Sequence, residues 1–243
     1  MRFIFLAAGK GKRIFSKIKK NKSLIIVNKL PLIKLLINEV KKTNINKISI
    51  VVGYRSSYIK RIFLNDKSIK FVQNKKYNSA EMLYSLILGI KKYNTDLIIS
   101  YSDILFNKSI IKNLIEKKNK NITIPILKNW KKIWKIRNKD PFDDGETLFI
   151  DKSNNLKSIG EKISNSNKIK YQFMGIIYVP KIQRKKILKA YKKISIRTKM
   201  HTTNFLNYLI SRKFVIKTTI VPKGWYEFDD YEDYQNFKKY YKK

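Results

Sequence analysis

Short apolar runs punctuated by glycine and polar clusters recur along the chain at the spacing of alternating strands and helices. Phe3–Ala8 is apolar and stops at Gly9-Lys10-Gly11-Lys12-Arg13. That length and abrupt ending predict a strand buried on both faces, as in a parallel sheet. Residues 14–30 are basic and irregular and predict no regular element. Pro31 opens a helix from Leu32 to Lys42, with Leu32, Leu35, Leu36 and Val40 on one face. Ile48–Val52 predicts a strand closed by Gly53, residues 56–63 a short helix, and Ile69–Val72 a third strand. Ser79–Lys92 carries an inward face at helical period, and Leu97–Tyr101 is an apolar strand running into Ser102-Asp103. A helix near 108–118 and a strand at 122–127 complete this part. Such alternation predicts a doubly wound, mostly parallel sheet.

The texture then changes. Residues 128–146 are rich in Trp, Lys and Asp, and the segments 147–150, 156–159 and 172–179 are separated by turn residues, which predicts antiparallel strands. Helices at about 181–192 and 202–211, a strand at 214–220, and a closing helix after Asp229-Asp230 follow. With no internal repeat and no linker, the chain reads as one domain. Within it, 1–127 is the alternating strand–helix half, about 128–180 an inserted region, and 181–243 the closing helices and strand end.

Composition changes this picture in two places. The chain has 55 Lys and Arg against 17 Asp and Glu, a formal net charge of +38 over 243 residues. Charge of this size suits a nucleic-acid or anionic-surface binder. The cations are mostly lysines spread over the whole length, however, so compositional bias accounts for them and nucleic acid is disfavoured as a partner. A non-catalytic basic nucleic-acid-binding domain stays as the alternative of a different class. The absence of cysteine excludes disulfides and thiolate chemistry and fits a reducing cytoplasm. No apolar run reaches the roughly 20 residues of a membrane helix, and none resembles a signal segment.

In an open parallel sheet, ligands bind beyond the carboxyl ends of the strands. The Gly9–Arg13 turn, Gly53 and Asp103 all fall at such ends. A glycine turn flanked by Lys10, Lys12 and Arg13 lets backbone N–H groups approach an anion, and so suggests a phosphate cradle. It is neither a P-loop nor a dinucleotide fingerprint, because the spacing to a following Gly-Lys-Ser/Thr or third glycine is absent. Asp103 and Asp229 are carboxylates in an acid-poor chain and suit Mg²⁺ on nucleotide oxygens. Helix or turn capping is the structural alternative for both. His201 is the only histidine, so a histidine cluster, an HExxH-type zinc site and a serine–histidine dyad with a spare histidine are excluded, and it reads as structural or surface.

These pieces resemble a known family. Leu6-Ala7-Ala8-Gly9-Lys10-Gly11-Lys12-Arg13 resembles the first motif of the nucleotidyltransferases that make nucleoside-diphosphate sugars and alcohols. The stretch from Lys22 to Pro31 resembles their second, with Asn21 for a proline and Lys29 for a glycine. Val51-Val52-Gly53-Tyr54, Tyr101-Ser102-Asp103 (serine for glycine), Gly160-Glu161-Lys162, Met174-Gly175 and Trp225-Tyr226-Glu227-Phe228-Asp229 resemble later motifs, in order. The resemblance implies a three-layer α/β/α sandwich with a mixed central sheet. It implies that residues 6–9, Gly11, Arg13, Lys22, Ser102 and Asp103 bind the nucleotide. It further implies that Lys22 neutralises the α-phosphate, that Asp103 and Asp229 hold Mg²⁺, and that Glu161, Lys162 and Gly175 meet the acceptor. Catalysis would rest on Arg13, Lys22 and Lys162.

Trp130, Trp134 and Arg137, then Asp144 and Glu146, then Tyr171–Gly175 look like the branch related to choline-phosphate cytidylyltransferases of bacterial surface-polymer pathways. This points to CTP as donor and a small phosphorylated, cationic alcohol as acceptor. Sugar-1-phosphate, phosphonate or phosphoamino-acid acceptors are the alternatives within the family. Trp130 and Trp134 sit one helical turn apart, either as a cation–π pocket or as core packing, with Asp144 or Glu146 as counter-charge. Asp143-Asp144-Gly145 also reads as a turn.

Overall fold

A computed structural model describes residues 1–19, 21–117, 119–163 and 168–241. The main sheet runs Gln172–Phe173, Ile122–Leu127, Ile176–Val179, Leu97–Tyr101, Arg2–Ala7, Ile48–Val52, Ile69–Gln73, with Ile216–Val221 pairing the outer side of Ile122–Leu127. Arg2–Ala7 is parallel to both its neighbours, and Ile176–Val179 enters antiparallel beside Leu97–Tyr101. The sheet is therefore mixed, as the resemblance implies.

The first strand explains the layering. Phe3, Phe5 and Ala7 join one buried cluster, whereas Ile4, Leu6 and Ala8 join another. A two-residue period with both faces apolar demands cover on both sides. Helices Leu32–Lys41, Lys108–Lys117 and Trp130–Arg137 cover the first face, and Met82–Lys92, Arg184–Lys192 and Thr202–Ser211 cover the second. The result is a three-layer sandwich.

Several expectations are corrected. Residues 14–30 are not irregular: a helix spans Lys12–Ile18, a single 3₁₀ turn Lys22–Leu24, and a hairpin joins Ile26–Val27 to Leu30–Pro31. Asn28 and Lys29 at its tip both have positive φ, 47° and 64°, the twist a two-residue hairpin requires. The helix expected from Ser79 begins at Met82, because Lys76 O takes the N–H groups of Ser79 and Ala80 in a preceding turn. The expected strand 172–179 breaks at Met174-Gly175 and joins the main sheet, leaving Glu146–Ile150 and Leu156–Lys162 as a separate antiparallel pair. Gly175 has φ +70° and lies against Tyr101; a Cβ there would stand 2.8 Å from the ring.

One unforeseen pairing positions the site. Ile104–Phe106 pairs antiparallel with Trp225–Glu227, matching Ile104 with Glu227, and Phe228 N–H donates to Asp103 O at 2.8 Å. Among the described residues, no helix is long and apolar enough to cross a membrane.

Gly53 ends the second parallel strand where the chain passes the glycine loop. An added Cβ would lie 2.6 Å from Tyr77 Cβ and 2.7 Å from Ala8 O, and Tyr54 N–H already donates to that same oxygen at 2.9 Å. Gly53→Ala is predicted to destabilise the protein by about 1–3 kcal/mol, the usual cost of overpacking a tight contact, measured by urea unfolding. An unchanged midpoint would mean that the two strand ends separate freely.

Candidate active site

The glycine loop leaves the first strand at Ala8, and its carbonyls are claimed from outside. Ala8 O accepts from Tyr54 N–H, and Gly9 O accepts from Asn21 Nδ2 at 2.8 Å. Asn21 Oδ1 in turn accepts from Ser23 N–H and Oγ, both at 3.0 Å. Asparagine in place of the family's proline thus caps the turn that carries Lys22 and ties it to the loop. Gly11, with φ +65°, lies directly beneath the Lys22 stem; a Cβ there would meet Lys22 Cγ at 2.5 Å. Loop and lysine are one unit. The side chain of Lys12 lies outside the described residues.

Lys22 Nζ reaches Asp229 Oδ1 at 2.7 Å and Asp103 Oδ2 at 3.3 Å. Burial works against its charge, and the Asp103 and Asp229 carboxylates more than offset this, raising its pKa above the ordinary lysine value. Arg13 also pairs with Asp229. Ser102, where the family has glycine, donates from Oγ to Leu6 O at 2.7 Å and locks Asp103's strand end to the first strand.

The fit to a divalent metal can be judged from the donors. Asp103 Oδ1 is buried and has no hydrogen-bond partner. A buried carboxylate oxygen without a partner is costly, and a cation beside it would satisfy it. Asp103 and Asp229 supply hard oxygens, and two carboxylates completed by phosphate oxygens and water are the usual Mg²⁺ arrangement. No group of three or more metal-binding side chains occurs among the described residues. The donor set fits Mg²⁺ held jointly with a nucleotide.

Beside the carboxylates lies a cavity of about 260 Å³ whose wall includes Arg13 and Asp229. Trp134, Asp144, Glu146 and Gly175, all expected on the acceptor side, line it, together with Tyr101, Phe173 and Trp225. Three expected acceptor residues stand elsewhere. Trp130 is buried in the core, edge-on to Trp134 at 5.4 Å, and donates from Nε1 to Ile169 O. Glu161 and Lys162 are exposed at the end of the outer hairpin and do not line the cavity. Trp134 stacks on Trp225 at 6.2 Å and carries the Arg137 guanidinium 4.8 Å from its ring centre, so its faces are largely occupied from within the protein.

Glu227 and His201 also line the cavity. Glu227 sits inside the quoted Trp-Tyr-Glu-Phe-Asp stretch, which was the available signal, but only the pairing with Ile104 turns it inward. Burial pushes its carboxyl up to about 8; Arg137 opposes that rise, and Asp103 and Asp229 add to it. Asp144 is likewise raised by burial, against the pull of Arg137. His201 is exposed at the start of the helix Thr202–Ser211, with Nδ1 3.6 Å from Glu81.

Comparison with known proteins bears on the fold and the family. A relative from Campylobacter jejuni, a CTP:phosphoglutamine cytidylyltransferase, is 27% identical over 96% of this chain and 97% of its own. The inositol-1-phosphate CTP transferase from T. maritima superimposes with a TM-score of 0.79 at 21% identity, over 96% of this chain and 90% of that one. The CTP:phosphocholine cytidylyltransferase from Streptococcus pneumoniae gives 0.78 at 20% identity, over 99% of both chains. These two structures share the fold. The sequence model of the MobA-like NTP transferase domain matches residues 3–159, which hold the glycine loop, Lys22 and Asp103. With well over half its length matched, this chain belongs to the MobA-like NTP transferase family.

Proposed function

We propose that this nucleotidyltransferase transfers CMP from CTP to a small phosphorylated acceptor bearing a cationic group, with release of pyrophosphate. The observation that carries the reading is the cavity wall. In a chain with a net charge of +38, the space beside the paired carboxylates is lined by Asp144, Glu146, Glu227 and aromatic rings. Burial favours the neutral form of these carboxyls in the free protein, and a bound ammonium group would favour their charged form, so this acidic, aromatic wall suits a cation. Phosphocholine and phosphorylated amino-acid derivatives meet that requirement, and the relatives' donor nucleotide supports CTP.

In this reading the glycine loop and Arg13 hold the β- and γ-phosphates of CTP. Lys22 turns from Asp229 and Asp103 to the α-phosphate, where charge builds in the transition state. Asp103 and Asp229 would hold Mg²⁺, which would supply charge neutralisation on the phosphate oxygens. An acceptor phosphate oxygen forms the new bond to the α-phosphorus as the bond to the bridging β-oxygen breaks. Pyrophosphate leaves with that electron pair. The attacking oxygen is already ionised, so no general base is needed. The cavity carboxylates orient the acceptor's cation so that its phosphate points at the nucleotide.

A panel of CTP, UTP, ATP and GTP against phosphocholine, phosphoethanolamine, phosphorylated amino-acid derivatives and glucose 1-phosphate, read by pyrophosphate release, tests the reading. Turnover with CTP and a cationic acceptor is expected; glucose 1-phosphate as the sole substrate would overturn it. Asp103→Asn and Asp229→Asn should each abolish release, and persistent turnover in either would remove the metal assignment. Lys22→Ala should lower kcat about 10²–10³-fold, the usual loss for a preorganised transition-state charge. Because Lys22 bridges the carboxylates in the free protein, Mn²⁺ binding followed by electron paramagnetic resonance should be tighter with CTP than without. Lys22→Met should raise the nucleotide-free affinity, and no change would show that Lys22 does not compete with metal.

A further inference from the structure

Asp229 does not hold its own position. Its backbone N–H donates to Asp233 Oδ2 at 2.7 Å, and Asp230 N–H donates to the same oxygen at 3.1 Å. Asp233 is fully buried, and both its carboxylate oxygens are gripped by Arg137, Nε to Oδ1 at 3.0 Å and Nη2 to Oδ2 at 3.1 Å. Arg137 is itself fully buried. It also donates from Nη1 to Glu227 at 3.2 Å, pairs with Asp144 at 3.2 Å, and lies over the Trp134 ring. Burying an arginine is justified only by such complete pairing. Each carboxylate its guanidinium grips, and the Trp134 ring beneath it, either lines the acceptor cavity or fixes the backbone of the metal carboxylate.

We propose that Arg137, acting through Asp233, is the positioning residue that couples the acceptor wall to the metal carboxylate Asp229. The proposal rests on the metal and acceptor assignments made above. Its physical basis is geometry rather than net charge. A planar guanidinium can grip one carboxylate with two parallel bonds while reaching two more, and a lysine ammonium cannot. Outer-shell partners of this kind typically set metal affinity by 10–100-fold. A disturbance at Arg137 would therefore be felt at both ends of the site, although Arg137 itself touches neither substrate.

The test uses the full chain carrying Arg137→Lys or Asp233→Asn, each checked for folding by circular dichroism, with Lys139→Gln as control. Lys139 pairs with Asp230 in the same turn but contacts neither Asp229 nor Asp233 in the described structure. Mn²⁺ affinity in the presence of CTP is read by electron paramagnetic resonance, and KM for acceptor and for CTP by pyrophosphate release at saturating Mg²⁺. For both variants the expected result is about a tenfold loss of Mn²⁺ affinity and a rise in acceptor KM, with CTP KM little changed. The Lys139→Gln control should match the wild type. A purely structural role would lower thermal stability but leave Mn²⁺ affinity and acceptor KM within twofold of wild type, and that result would overturn the proposal. Asp229→Asn separates the two layers of the argument. If it keeps wild-type Mn²⁺ affinity, the metal assignment fails; if it loses Mn²⁺ while Arg137→Lys and Asp233→Asn do not, only the coupling fails.

Discussion

Two carboxylates 126 positions apart are forced together by one short antiparallel pairing, Ile104–Phe106 with Trp225–Glu227. Phe228 N–H on Asp103 O closes that ladder, and Asp103 and Asp229 then share the Lys22 ammonium. Like charges at such range are unstable without a cation between them. Lys22 supplies one in the free protein, and Arg13 adds a second on Asp229. The glycine loop, the capped turn at Asn21 and the buried Arg137–Asp233 pair all follow from that constraint, since each fixes one member of the charged cluster.

The cluster also divides the site by charge. On one side stand Arg13, Lys22 and a glycine loop, suited to phosphates; on the other lies a cavity walled by Asp144, Glu146 and Glu227. The lysine excess of the chain explains neither side. The charges that organise the site are buried or paired, and the remaining lysines are spread over the surface. A cavity this acidic in so basic a protein is the more informative electrostatic feature, because composition works against it.

Most strands of the first 127 residues were legible as clean apolar runs ended by glycine or a polar cluster, and the longer helices by an apolar face at helical period. Residues 14–30 were not, because their short helix, hairpin and 3₁₀ turn are too brief to show a period. The hairpin tip at Asn28-Lys29 lacks the glycine that signals such a turn. Ile104–Phe106 was invisible for a related reason, since three residues cannot reveal a strand without their partner. The positions of Asp103, Asp229, Lys22 and Arg13 were readable as motifs, yet their contacts were not. Trp130 and Trp134 show the limit most plainly: their spacing is the same for packing and for ligand contact, and only tertiary structure places one in the core and the other on the cavity wall. Arg137 appeared in the same motif with no role, because Glu227 and Asp233 lie 90 and 96 residues away and only folding brings them to it.

A single site that holds nucleotide and acceptor together lets phosphorus pass directly between them. Isotope exchange of labelled pyrophosphate into CTP tests this most directly. Direct transfer requires the acceptor's reaction to reverse, so label should enter CTP when the acceptor has been converted, at a rate that vanishes in Asp229→Asn. Rapid entry of label into CTP with no acceptor present would mean a covalent nucleotidyl-protein intermediate and would contradict the account.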